Sequence, residues 1–253
     1  EIPLRLVGSE MCIRDSEKLY KGVNTLNITL ESLTAGVEGL GLAIEPNSLV
    51  KLHNFANLLV RWNKGMNLIS RRDINRLLPR HLLDSLSVLP HIIGSSVLDV
   101  GTGPGLPGMP LAIVDSNRTY TLCDRMAKRI RFLHMASREL QTSNVSLEER
   151  NLAKEPFVEH RFDTILARGV APAAALWPMV EPYLELGGRV IVFESAQVEA
   201  LEDTAESEVP EQDTLSDALD EIALGYSSEK ISCLIPGLEQ PHFLCILQRK
   251  DKD

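Results

Sequence analysis

Asp99 is followed by glycines at positions 101, 103, 105 and 108, directly after the apolar run Ser96-Val97-Leu98. Those residue types in that order suit one task, holding a nucleotide-like ligand against bare backbone. Glycine permits the left-handed turns of such a loop and brings main chain closer than a Cβ would allow. Gly103-x-Gly105-x-x-Gly108 also satisfies the dinucleotide pattern. On this motif alone the ligand is NAD(P), another adenosine-bearing cofactor, or nothing if the turn is purely structural. A second acid, Asp124, follows Gly101 by about 20 residues, the spacing at which a carboxylate after the next strand meets a ribose. The same Asp124 also suits the N-cap of the helix after it. Arg168 closes a third apolar run, Phe162–Ala167. Its planar fork fits a cofactor carboxylate or a nucleic-acid phosphate, and a surface ion pair is the plainer alternative.

A sheet must set these groups side by side. β-prone runs at 97–100, 119–123, 145–148, 163–167, 189–193 and 242–248 alternate with helical stretches at 107–114, 126–140, 173–184 and, more weakly, 196–205. That alternation predicts an α/β fold with a mostly parallel sheet. Pro107 suits the first turn of the helix after the glycine loop. Upstream, Leu49, Leu52, Phe55, Ala56, Leu59 and Val60 recur at helical spacing, with Trp62 next as a core residue. A second helix is expected to start near Pro79 and to present Leu82, Leu83, Leu86 and Leu89. The expected organisation is an appended segment at 1–24, a helical extension at 25–94, and the ligand-binding α/β domain at 95–253.

The chain has 253 residues, of which 44% are hydrophobic and 24% charged, as in an ordinary soluble globular protein. Cys12, Cys123, Cys233 and Cys245 lack C-x-x-C spacing and His neighbours, which argues against a metal site and for a reducing compartment. With no leader or membrane span expected, the cytoplasm is the default. The net charge of −9 hides an uneven distribution. Residues 194–222 hold eleven acids and no Lys or Arg, whereas 61–81 carry Arg61, Lys64, Arg71, Arg72, Arg76 and Arg80 against Asp73 alone. Arg125, Lys128, Arg129 and Arg131 form a second basic group. Local fields of this kind attract a phosphate backbone, although each Arg taken singly also fits a solvated helix face.

Four motifs in order carry a specific resemblance: Trp62-Asn63-Lys64-x-x-Asn67-Leu68, Arg80-His81-Leu82-Leu83-Asp84-Ser85, Asp99 through Gly108, and Lys128-Arg129-x-Arg131-Phe132-Leu133. Over residues 49–193 the chain resembles the RsmG family, also called glucose-inhibited division protein B, whose members methylate guanine N7 in small-subunit ribosomal RNA. The resemblance implies a Rossmann-like sheet with its last strand antiparallel, S-adenosyl-L-methionine (AdoMet) as cofactor, and a guanine in the 530 loop of 16S rRNA as target. It implies AdoMet contacts at Gly101, Leu106, Asp124, Arg125, Met126, Asn151, Leu152 and Arg168. RNA contacts are expected at Lys64, Arg71, Arg72, Arg80 and Arg129, and Asp99 is expected to orient the glycine loop or the amino-acid end of the cofactor. No catalytic acid or base and no metal are expected, because N7 carries a lone pair and no proton and the task is alignment. His81 and Asp84, on one helix face, are then structural or RNA-positioning. The partner is 16S rRNA or the small subunit, and the expected state is a monomer.

Two positions depart from the family pattern. Its Lys after the fifth strand is Glu194 here, and its Ser-Arg-Ala after the fourth is Ala167-Arg168-Gly169. These changes keep two alternatives open, a small-molecule methyltransferase and a non-catalytic ribosome-binding relative.

Overall fold

The structure, a computed structural model, describes residues 28–70, 73–157, 160–194 and 225–250. The expectations for the 1–24 segment, for Arg71 and Arg72, for Cys12 and for a helix at 196–205 lie outside these residues.

Helix α1 (Leu30–Gly39) begins at a capping box in which the Thr29 hydroxyl accepts the Ser32 N–H and the Ser32 side chain returns to Thr29. Helix α2 (Pro46–Met66) starts on a proline, whose missing N–H is not needed in a first turn, and stops where Asn67 turns left-handed. A π-helical turn (Leu77–Leu83) then runs into the short α3 (Asp84–Ser87). Its Leu77, Leu82, Leu83 and Leu86 are fully buried. The helical segment expected from Pro79 thus exists but begins at Leu77 and is wider than an α-helix, and Leu89 lies beyond it in a 3-10 turn, half-buried.

From there strands and helices alternate: β1 (Ser96–Val100), α4 (Gly108–Val114), β2 (Thr119–Asp124), α5 (Ala127–Leu140), β3 (Val145–Glu149), β4 (Phe162–Arg168), α6 (Ala173–Val180), β5 (Leu184–Glu194), β6 (Tyr226–Cys233) and β7 (His242–Arg249). They form one seven-stranded sheet in the order β3-β2-β1-β4-β5-β7-β6. β3 to β5 are parallel, β7 runs antiparallel to β5, and β6 antiparallel to β7. Strand β6 is an addition to the sequence reading. It is an edge strand, Tyr-Ser-Ser-Glu-Lys-Ile-Ser-Cys, with one residue fully buried, so it carries no apolar alternation to detect. The helix expected at 173–184 ends at Val180 and gives way to a 3-10 turn through Pro182, and β5 starts at Leu184. Pro107 lies one residue before α4, at its N-cap.

Strand residues alternate between the two faces of the sheet, and each face has its own core. Val97, Leu122, Leu166, Ile191, Phe193 and Leu244 pack with Phe55, Leu59, Leu83 and Phe132 from the helices. Leu98, Cys123, Ile165, Val192 and Cys245 pack on the other face with Leu176, Trp177 and Val180 of α6. The N-terminal helices therefore share a core with the sheet and form a cover over its first face. No helix among the described residues is long and apolar enough to cross a membrane.

Candidate active site

The groups singled out by the sequence meet at the carboxyl ends of the parallel strands, where open α/β sheets take their ligands. Register places Asp99 opposite Leu122 and Leu166, and Arg168 opposite Phe193. Asp99, Asp124, Arg168 and, in β7, His242 therefore belong to the face covered by the N-terminal helices.

After β1 the chain turns left-handed at Gly101, Gly103 and Gly105. These glycines are not equivalent. A Cβ on Gly105 would lie 2.6 Å from Leu133 and 3.0 Å from Met109, so that position is closed by core packing. A Cβ on Gly103 would meet no atom nearer than 3.9 Å, leaving the loop open on one side. Two carboxylates fix the loop from below. Asp99 Oδ2 accepts the Thr102 hydroxyl and the Gly108 N–H, the latter at 2.8 Å. Asp124 Oδ2 accepts the Gly103 N–H at 2.9 Å and Oδ1 the Met126 N–H at 2.8 Å, while Arg129 Nη1 donates to Oδ2 at 3.0 Å. The N-cap of α5 is Met126. Asp124 thus ties the glycine loop to the start of α5 instead of capping the helix.

Arg168 is held from the cover. Its Nη2 donates to the Arg80 carbonyl at 2.8 Å and to His81 Nδ1 at 3.1 Å, and lies 3.4 Å from Asp84 Oδ2. A guanidinium only donates, so His81 Nδ1 is the acceptor and its proton sits on Nε2. Burial, reinforced by the nearby Arg168 charge, pulls His81 down to about 4, so the ring is neutral at pH 7. Burial likewise pushes the Asp99 carboxyl up to about 7, against the opposing pull of its Thr102 and Gly108 donors.

Asp99 Oδ1, Arg168 Nη1 and His81 Nε2 are each shut off from solvent with no hydrogen-bond partner. Unpaired buried polar atoms are costly, and such atoms in one region call for a polar ligand. An acceptor, a cationic donor and a neutral donor beside an open glycine turn fit a nucleoside carrying an amino-acid group, whose ammonium and carboxylate supply the missing partners. Leu106 is buried at the loop's end, Arg125 is exposed and Met126 half-buried at the head of α5. Asn151 and Leu152 follow β3, and the preceding Arg150 N–H donates to the Asp124 carbonyl, so this turn adjoins the same edge.

The basic residues divide. Lys64 is exposed near the end of α2, and Lys128 Nζ reaches the Met66 carbonyl at 3.4 Å, so the end of α2 meets the start of α5. Arg129 is engaged by Asp124, and Arg80 lies 3.5 Å from Asp73. Glu194 falls opposite Phe243 in register, on the face away from Arg168, and pairs with Lys230 at 3.1 Å. His242 was not among the residues expected at the site. Its Nδ1 lies 2.8 Å from Asp84 Oδ1 across 158 positions of chain, a contact that no local spacing encodes. Among the described residues no group of His, Cys, Asp and Glu is arranged to hold a metal ion.

Sheet order, glycine loop and the antiparallel β7 define an AdoMet-dependent methyltransferase fold. The chain superimposes on the O-methyltransferase TomG from Streptomyces achromogenes in complex with AdoMet, with TM-score 0.53, 13% identity, and 86% and 96% of the two chains covered. The glycopeptide N-methyltransferase MtfA, also with AdoMet, gives TM-score 0.52 at 12% identity, covering 67% and 87%. Residues 48–217 match the model of the GidB family, rRNA small subunit methyltransferase G, and the chain belongs to that family. It is 43% identical over 142 residues to ribosomal RNA small subunit methyltransferase G of Shewanella amazonensis, covering 56% of this chain and 68% of the relative. The same enzyme of Vibrio vulnificus is 34% identical over 223 residues, covering 87% and 97%.

Proposed function

We propose that this chain transfers the methyl group of AdoMet to N7 of a guanine in the 530 loop of 16S rRNA. The observation that carries the reading is the pair Asp99 Oδ1 and Arg168 Nη1, both buried without a partner, with Asp99 holding the glycine loop through Thr102 and Gly108. AdoMet supplies an electrophilic methyl on sulfonium. Arg168 meets its carboxylate, Asp99 its ammonium, and Asp124 its ribose once Arg129 swings aside. Gly101, Leu106, Arg125, Met126, Asn151 and Leu152 line the adenosine side.

Guanine N7 presents a lone pair and no proton, so no side chain has to remove one. His81 agrees with this, since its Nδ1 is taken by Arg168 and its remaining nitrogen is a donor. The chain's contribution is alignment of N7, methyl and sulfur in a dry site. Lys64, Arg80 and the basic start of α5 would meet RNA phosphates, and Arg71 and Arg72, outside the described residues, belong to the same basic run of sequence. Pairing of Glu194 with Lys230 on the opposite face supports an active enzyme, because that acid does not stand beside Arg168. We place the protein in the cytoplasm with the ribosome, as a monomer.

The test is strand scission. Small subunits lacking the modification are incubated with enzyme and AdoMet, and their rRNA is reduced and treated with aniline, which cuts at 7-methylguanosine. A single new cut in the 530 loop is expected. A cut elsewhere, or none with AdoMet bound, overturns the assignment.

A further inference from the structure

The Arg80 carbonyl, His81 and Asp84 have no part in the chemistry above, yet they converge on one guanidinium, and the distant His242 holds Asp84. Three acceptors of that segment, the Arg80 carbonyl, His81 Nδ1 and Asp84 Oδ2, all crowd Arg168 Nη2. Nη1 of the same group is left without a partner and out of solvent. Asp84 is itself 4% exposed and reaches in two directions, Oδ2 to Arg168 and Oδ1 to His242 Nδ1 at 2.8 Å. The π-helical turn over Leu77–Leu83 carries both Arg80 and His81, and such turns are frequent at functional sites.

We infer that Asp84, braced by His242, is a positioning residue that turns Arg168 so that Nη1 points free into the ligand site, there to grip the carboxylate of AdoMet. The inference rests on the AdoMet reading of the site. An Arg engaged on one nitrogen only is fixed in rotation while its other fork stays available, which raises affinity by removing the cost of ordering a long side chain on binding. The arrangement also ties three separate elements to one contact: the cover through Asp84, β4 through Arg168, and β7 through His242. Removing Asp84 would leave Arg168 buried among fewer partners and free to rotate.

The experiment is calorimetric binding of AdoMet and of decarboxylated AdoMet, which keeps adenosine, sulfonium and ammonium but lacks the carboxylate. It is run on the full chain and on Asp84→Asn, His242→Gln and Arg168→Ala. Asp84→Asn is nearly isosteric and His242→Gln keeps a hydrogen-bonding side chain, so a folding defect in one leaves the other to read. Expected is a loss for AdoMet of roughly tenfold or more in each variant, the size of one charge-assisted contact. Decarboxylated AdoMet should change by less than about threefold, and Asp84→Asn should add little on top of Arg168→Ala. Equal losses for both ligands in folded variants mean a merely structural role and overturn the inference, as does no loss for either. A folded wild-type chain that binds neither ligand overturns the AdoMet reading and this inference with it.

Discussion

Asp124 Oδ2 accepts the Gly103 N–H at 2.9 Å, so the acid that ends β2 holds the glycine turn that follows β1. The residue expected to meet a ribose is thus also part of the scaffold that shapes the loop. Arg129 shares that oxygen at 3.0 Å from a side chain one-third exposed. Asp124→Ala should remove acceptors from two backbone N–H groups at once and cost on the order of 2–4 kcal/mol of stability, read by urea unfolding. Arg129→Ala should cost under about 1 kcal/mol and leave AdoMet affinity within threefold. Equal losses in the two variants would refute this division of labour.

Gly103 and Gly105 separate ligand binding from folding. Both have positive φ, but only Gly103 faces open space. Gly103→Ala should lower stability by about 1–2 kcal/mol, the left-handed penalty of a Cβ, while reducing AdoMet affinity by more than about tenfold as the methyl enters the cradle. Gly105→Ala drives a Cβ into Leu133 and Met109 and should reduce stability by the greater amount. Thermal melts with and without AdoMet distinguish the two, and the opposite ranking would contradict this account of the loop.

Asp99 gives the fold a pH dependence of defined sign. Its carboxyl is pushed by burial from 3.8 up to about 7, so the folded chain holds a proton that the unfolded chain has lost between those values. Stability from this group is therefore greatest at the acid end of the window and falls as pH rises toward 7. Asp99→Asn mimics the protonated acid and escapes that fall. Relative to wild type, the melting temperature of the variant should rise from pH 5 to about pH 7 and level off above it, corresponding to on the order of 1–4 kcal/mol. A difference that stays flat across that range would falsify the assignment.

Glu194→Lys tests the charge reversal at the end of β5. If the acid blocked RNA at the site, the change would raise methyl transfer. Its pairing with Lys230, which also stacks 4.4 Å over Phe243 on the same face, predicts otherwise. The variant sets two lysines together and should give no more than wild-type activity, with under about 1 kcal/mol of stability lost. A severalfold gain in methyl transfer would return Glu194 to the active site.

Much of this architecture is legible in the chain because its signals are local. The acid-plus-glycine run at 99–108 and the apolar strands 97–100, 163–167 and 242–248 each carry their own pattern, and all appear as sheet and loop. Strand Tyr226–Cys233 does not, because an edge strand with exposed Ser, Glu and Lys has no buried alternation to declare it. Pro182 divides an apparently continuous helix from a strand that starts five residues earlier than its apolar core suggests. At the site, Asp99, Asp124 and Arg168 are visible from spacing, whereas the clamp on Arg168 is not. Its members are 87 and 158 positions from their partners in sequence, and only the sheet order and the packed cover bring them together.

Methyl transfer is read most directly with radiolabelled AdoMet and small ribosomal subunits lacking this modification, followed by nucleoside analysis. Label is expected in 7-methylguanosine alone, with Arg168→Ala reducing it by at least about tenfold. Label in another nucleoside, or none from a chain that binds AdoMet, would contradict the assignment.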